Sequence, residues 1–437
     1  MKLKVRLLRI VYTMLMHLVT PVIIYRLAFR GLRNPEYFWR WRERFGWFKT
    51  PNFARRSIWI HAVSVGEFNA SIPLIHALMD KFPEHPFVVT SITPTGSERI
   101  RKVLGDRVFH VYLPYDLPAS VRRFLDRTKP ILAVVMETEI WPNLYLSCSG
   151  LGIPILIANA RLSERSLKGY GPAIALAGHC VRQAAWIAAQ SQIDAERFLR
   201  LGADPKRLEL VGNIKFDMEV DPALPAIGLA LRQSWGEQRP VWVAASTHEA
   251  EETAILQAHA ILLRRFPDAL LLLVPRHPER FKQALSLCKS IGFNTVIRSE
   301  QSVPHPATQC FVVDTMGELM QFYSASDLAF VGGSLANIGG HNMLEPASLG
   351  IPVLIGPHTQ NFEEIARRMI DRGAAVLVQS GSDLGMELSR LMADNPLRGR
   401  MGEAGKNVFA SERGALDRLL QQSISLLQRA ENTKGHQ

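Results

Sequence analysis

Twice along this chain, short continuous apolar runs alternate with helical patterns, and that double alternation restricts the fold more than any other feature. In the first half the runs expected as strands are Ser57–Val63, Phe87–Thr93, Val108–Leu113, Ile131–Met136, Ile153–Asn159 and Ala184–Ala189. Helical patterns at Glu67–Lys81, Thr95–Leu104 and Ala119–Arg127 separate them. After Asp217–Pro240, which reads as a linker because it holds Pro222, Pro225 and Pro240, the alternation restarts. Its strands are Val241–Ser246, Leu270–Val274, Thr295–Ile297, Phe311–Val313, Asp327–Val331 and Val353–Ile355. Strands without polar alternation, separated by helices, indicate parallel sheets covered on both faces. A chain of 437 residues exceeds what one core supports. The expected architecture is therefore α/β, with two Rossmann-like doubly wound domains facing a cleft. The boundaries read as 1–33 for an N-terminal anchor helix, 34–220 and 221–412 for the two domains, and 413–437 for a last helix that packs back on the first domain.

The net charge of +11 belongs to one end. Residues 1–56 hold 13 Lys/Arg against Glu36 and Glu43, and the remainder balances at 38 of each sign. A nucleic-acid enzyme spreads its basic footprint over its folded domains, so no nucleic-acid partner is expected. Ile10–Tyr25 is free of Asp, Glu, Lys and Arg, with basic groups on both sides (Lys2, Lys4, Arg6, Arg9, then Arg26, Arg30, Arg33). At 16 residues it is short for a bilayer span, and it lacks a small-residue cleavage site. Tyr37–Phe48 then interleaves aromatics with arginines, a composition suited to anionic headgroups. The reading is an uncleaved membrane anchor, monotopic or a short span, against anionic inner-membrane lipid. Four scattered cysteines (Cys148, Cys180, Cys288, Cys310) show no metal-ligand spacing and read as packing residues.

Chemistry in doubly wound sheets gathers at the carboxyl ends of strands. Val331–Pro346 packs four glycines and two asparagines into a loop after an apolar strand, then opens a helix at about Asn342. Glycines let backbone approach a ligand and leave amides for anionic oxygens, while Glu345 is placed to accept from ribose hydroxyls. Arg276, at the exit of Leu270–Val274, offers a forked donor to phosphate. Asp314–Leu319 supplies a third glycine-bearing turn, and the three should converge on one edge as a nucleotide cradle. There is no Walker motif and no acidic pair near these loops, so no metal and no cofactor is expected. In the first half Glu67 stands where a strand meets a helix, a position for a general base if its pKa is tuned upward. Glu137 and Glu139 leave another strand, and Lys215 is a candidate partner for these carboxylates. Each of these positions also has an ordinary structural explanation as a helix-start acid or a surface ion pair.

Taken in order, SVGE (Ser64–Glu67), TPTG (Thr93–Gly96), METE and WPN (Met136–Asn143), GNIKFD (Gly212–Asp217), PRHPER (Pro275–Arg280), MGEL (Met316–Leu319) and GGHNMLEP (Gly339–Pro346) make the chain resemble the Kdo transferases over nearly its whole length. That resemblance implies a GT-B glycosyltransferase on the cytoplasmic face of the inner membrane. It would move 3-deoxy-D-manno-octulosonic acid (Kdo) from CMP-Kdo to lipid IVA, the lipid A precursor of lipopolysaccharide, with inversion. It further implies that Glu67 is the base and that Glu137 and Lys215 support the transition state. Pro275, Arg276, Met316, Gly317, Glu318, Asn342, Met343, Leu344 and Glu345 would be the CMP contacts. Other lipid glycosyltransferases of the same fold, sugar-nucleotide epimerases and a membrane-bound sensor of sugar nucleotides are the alternatives.

Overall fold

The computed structural model describes residues 3–33, 38–218, 220–300 and 303–432; Lys2 and Tyr37, named above for the anchor, lie outside them. Two compact units result, Met1–Asp217 with Arg413–Gln437, and Met218–Glu412.

In the first unit seven strands form one parallel sheet: β1 (Ser57–His61), β2 (Phe87–Ser91), β3 (Phe109–Tyr112), β4 (Pro130–Met136), β5 (Ile155–Ala160), β6 (Trp186–Ala189) and β7 (Leu208–Leu210). Their order is β3-β2-β1-β4-β5-β6-β7, so the winding direction reverses between β1 and β4. Side chains alternate between the two faces. Trp59, Val88, Ala133, Val135 and Ile157 join one core, and Ile58, Ile60, Val89, Leu132 and Val134 join the other. Ser64 and Thr93 cap the helices that follow β1 and β2, each accepting a backbone N–H from three residues on.

The chain's two ends cover opposite faces of this sheet. The helix Leu3–Arg33 sends Val5 into the first core, with Leu8 and Tyr12 against it. Asn143 pins the same helix, accepting from Arg9 Nε at 3.2 Å and from the Thr13 hydroxyl at 3.3 Å. The final helix, Ala415–Asn432, places Ala415, Leu419, Leu426 and Leu427 in the second core. Asp217 caps it, accepting from Gly414 N at 3.0 Å and Leu416 N at 2.5 Å.

The second unit repeats the design with β8 (Val241–Thr247), β9 (Leu270–Pro275), β10 (Thr295–Ile297), β11 (Cys310–Val312), β12 (Leu328–Val331), β13 (Val353–Ile355) and β14 (Ala375–Leu377). The order is β10-β11-β9-β8-β12-β13-β14, all parallel, and here the reversal falls between β8 and β12.

Several details differ from the sequence reading. The presumed linker contains a helix, Leu224–Trp235, with Pro225 in its first turn, where a missing N–H costs nothing. Edge strands β7 and β14, of three residues each, are too short to leave a hydrophobic pattern. The helix after the glycine-rich loop runs only over Leu344–Ser348, so its dipole adds little. The interleaved arginines are not all available to lipid. Arg44 is buried, donates to Ile92 O at 2.8 Å and lies 4.2 Å over the Tyr112 ring. Arg40 bonds Glu43 and His110 O.

Candidate functional site

Both sheets expose strand ends on either side of a winding reversal, the geometry that leaves a crevice for a ligand. In the first unit those ends belong to β1 and β4. The segment after β1 turns into the helix Val65–Lys81, and Glu67 stands in its first turn. Its Oε2 accepts from Val63 N at 2.8 Å, and its Oε1 accepts from the Ser64 hydroxyl at 3.1 Å. Burial, reinforced by the nearby Glu137 and Glu139 carboxylates, outweighs those two bonds and lifts Glu67 to about 7. A carboxylate tuned there can take a proton near neutral pH.

Glu137 leaves β4 with φ 57°, a left-handed conformation unusual for a side chain of its size. It meets Lys215 Nζ at 2.9 Å. Lys215 is exposed, so this pair contributes little to stability and keeps a cation mobile beside the carboxylates. Glu139 accepts from Trp141 Nε1 at 2.8 Å, and burial raises its pKa. Structure thus gathers Glu67, Glu137, Glu139 and Lys215 at one pair of strand ends. It adds Asn159, at the exit of β5 with φ 54°, whose Oδ1 fixes the turn bearing Lys215 through Ile214 N at 3.1 Å. Its buried Nδ2 has no protein partner. Asn159 had no role in the sequence reading; an asparagine ending an apolar strand is the signal that could have found it, since asparagine tolerates the left-handed region.

In the second unit, the loops after β9, β8 and β12 meet. Gly332 and Gly333 begin the loop after β12. A Cβ on Gly332 would lie 2.6 Å from Ser246 O, so space requires glycine there, while Gly333 has φ 67°, the left-handed region that favours glycine. Glu251, which the sequence reading did not single out, shapes this loop. Buried, it accepts from the N–H groups of His248, Gly333, Leu335 and Ala336 at 3.1, 2.6, 3.2 and 3.2 Å. Three acids opening a helix (Glu249, Glu251, Glu252) were the visible hint, but only the fold shows that Glu251 and Glu252 are buried and that Glu251 is the one that holds this loop.

Arg276 is exposed at the end of β9, beyond the buried Pro275; burial raises the pKa of Glu345, and the Asn342 bond and the charge of Arg276 only partly offset it. Asn342 Nδ2 donates to Glu345 at 3.2 Å, and Asn342 Oδ1 accepts from Leu344 N. Met343 and Leu344 are fully buried, so their side chains pack while their loop supplies backbone. The rings of His248 and His341 stack at 5.2 Å, and His277 meets His248 edge-on at 5.5 Å. Met316 and Gly317 are exposed after β11. Glu318 turns to Arg298, which donates to it at 2.8 and 3.2 Å and lowers its pKa. Arg276, Asn342, Glu345 and the histidines therefore form one group, whereas Glu318, after the neighbouring strand β11, is held in an ion pair with Arg298.

Comparison with known proteins follows the same lines. A family profile described as 3-deoxy-D-manno-octulosonic-acid transferase matches residues 39–218. The chain is 43% identical to a 3-deoxy-D-manno-octulosonic acid transferase of Haemophilus influenzae, with 94% of this chain and 97% of that one covered. It is 34% identical to the protein of that name from Bordetella pertussis, covering 91% and 97%. Among solved structures, UDP-GlcNAc 2-epimerase from Neisseria meningitidis bound to UDP-GlcNAc matches with a TM-score of 0.57 at 15% identity, over 85% of this chain and 100% of that one. At that identity the likeness concerns the fold, two α/β units of GT-B type.

Proposed function

The chain belongs to the 3-deoxy-D-manno-octulosonic acid (Kdo) transferases, which are glycosyltransferases, and from that premise we propose that it carries Kdo from CMP-Kdo to lipid IVA on the cytoplasmic face of the inner membrane. The observation that carries the reading is Glu67, half-buried among carboxylates and lifted to about 7 at a winding reversal. In this mechanism an acceptor hydroxyl gives its proton to Glu67 while its oxygen attacks the anomeric carbon of Kdo. The bond from that carbon to the phosphate oxygen breaks, CMP leaves with the electron pair, and configuration inverts. Glu137 and Lys215 steady the charge that develops, and Arg276 with the amides of the glycine-rich loop holds the departing phosphate.

An acceptor that is a phosphorylated lipid suits the amino-terminal end. A groove of about 970 Å³ beside the first helix has Ile10, Met14, Leu18 and Pro21 on its apolar wall and Arg6 and Arg9 among its lining residues. The helix segment Leu3–Phe29 has a mean hydropathy of 1.8 over its most apolar window, and none of that window is buried. Trp39, Trp41 and Trp47 are exposed nearby, at the size and polarity favoured in headgroup regions. We assign this surface to anionic inner-membrane lipid.

Glu67→Gln tests the proposal. With CMP-Kdo generated in situ and tetraacylated lipid A precursor, mass spectrometry should show a rate reduced roughly 10²–10⁴-fold, with donor binding retained. Chelation by EDTA should leave the unaltered protein's rate unchanged. Near-normal turnover by the variant removes Glu67 from its role.

A further inference from the structure

We propose that His248 and His341 form a proton-accepting pair that becomes a cation when a nucleotide phosphate binds beside Arg276, an inference that rests on the CMP-donor reading above. Three adjacent strands bring it about. His248 follows β8, Arg276 and His277 follow β9, and His341 sits in the loop after β12. Among the described residues of this edge, Arg276 is the one group of fixed positive charge that the electrostatics of Glu345, His248 and His341 all register.

The geometry of the pair limits its protonation. His248 Nε2 and His341 Nε2 are 2.9 Å apart with the rings nearly parallel, at 8°. At that distance one nitrogen donates and the other accepts. Two neutral rings satisfy the contact. So does the singly charged pair, in which the donor ring also carries a proton on Nδ1. A second added proton would set two N–H groups against each other. The pair therefore has room for one proton while keeping its geometry.

The surroundings set when that proton arrives. Arg276 and His277 face the rings from the loop after β9, Glu345 and Asn342 belong to His341's own loop, and Glu251 lies beneath with four N–H bonds. The segment after β13 brings His358, whose carbonyl would lie 3.4 Å from a Cβ on Gly340. Burial, the neighbouring ring and Arg276 hold His341 at about 4, so without an anion the pair itself is uncharged at neutral pH and Arg276 is the cation beside it. An anion placed against Arg276 reverses the balance, because its charge favours the protonated ring. One proton from solvent then joins a ring nitrogen, and no other bond changes. The consequence is a phosphate site that is weakly charged when empty and doubly cationic when filled.

Titration calorimetry of CMP binding to the full chain, in two buffers of different ionisation enthalpy at pH 6.5, counts the protons exchanged. The reference is the double variant His248→Gln/His341→Gln, which shares CMP's own phosphate ionisation and so cancels it. Relative to that variant, the unaltered protein should take up between half and one proton. Relative to the double variant, its CMP affinity should fall by up to roughly tenfold per pH unit as pH rises from about 4 to the pair's raised pKa in the complex, and level off above that. His277→Gln, which removes a ring in contact but not bonded to the pair, should retain the uptake. If the double variant does not fold, ring-nitrogen NMR of the unaltered protein reads the same event as a protonation shift on adding CMP. Binding with no difference in proton count, or with no ring protonation by NMR, overturns this proposal and leaves the transferase reading standing. Failure of CMP to bind the unaltered protein overturns both.

Discussion

The two units share one architecture and arm it with opposite charge. Each is a seven-stranded parallel sheet with a single winding reversal, and each puts its functional side chains on the strand ends beside that reversal. In the first unit those ends carry Glu67, Glu137 and Glu139 with one lysine. In the second they carry Arg276 and three histidines around a loop of glycines; of the carboxylates there, Glu251 faces away into backbone N–H groups and Glu345 is bonded by Asn342. The difference shows how a fold of one kind serves two tasks. Burial, with neighbouring acids adding to it, raises a carboxylate's pKa and suits it to be a base, whereas an exposed arginine beside a glycine-rich loop suits a phosphate. Among the described residues, the helix long and apolar enough to cross a membrane belongs to the first unit, so the proposed lipid attachment and the proposed base fall in the same unit.

The sharpest way to break this contrast is at the membrane. Val11→Glu, Leu18→Glu and Val22→Glu together place three charges on exposed positions of the first helix while sparing Val5, Leu8 and Tyr12, which pack inward. Co-sedimentation with anionic vesicles in high salt should fall from nearly complete to background, and CMP binding should not change. A variant that still pellets assigns attachment elsewhere. Glu251→Ala tests the second unit. It strands up to four N–H groups, each worth about 1–3 kcal/mol when buried without an acceptor. Thermal unfolding should show the loss, and CMP affinity should fall with it because the loop is no longer held; an unchanged melting temperature would mean that the glycines alone shape it.

The smallest effect sharpens the first unit. Because Glu67 is raised to about 7, its basic form grows as pH climbs through that value. The rate should rise roughly tenfold per unit below pH 7 and level off above it. Glu137→Gln removes one neighbouring charge and should move that profile to lower pH, with a lower plateau from the lost partner of Lys215. A profile that stays in place assigns the shift of Glu67 to burial alone.

Much of this was legible in the order of residues. Apolar runs such as Ile131–Met136 read as buried parallel strands because they show no polar alternation, and β4 occupies that segment. Capping residues such as Ser64 mark turns through local sterics, which need no distant partner, whereas Gly332 is demanded by Ser246 of another strand, β8. Short edge strands left no such mark, and neither did the helix Leu224–Trp235, whose prolines read as a linker although Pro225 sits in its first turn.

Site chemistry divides in the same way. Residue type and its place at a strand end are local, so the sequence by itself determined two doubly wound units, their functional edges and the candidate acids and arginine. Contact between groups far apart in the chain was decided by tertiary structure alone. Glu137 meets Lys215 across 78 positions, His248 meets His341 across 93, and Glu251 holds Gly333 across 82. The physical reason is that a pKa, a shared proton or a buried carboxylate depends on what lies within a few ångströms. Strand order, which is fixed only when the sheet assembles, sets those neighbours.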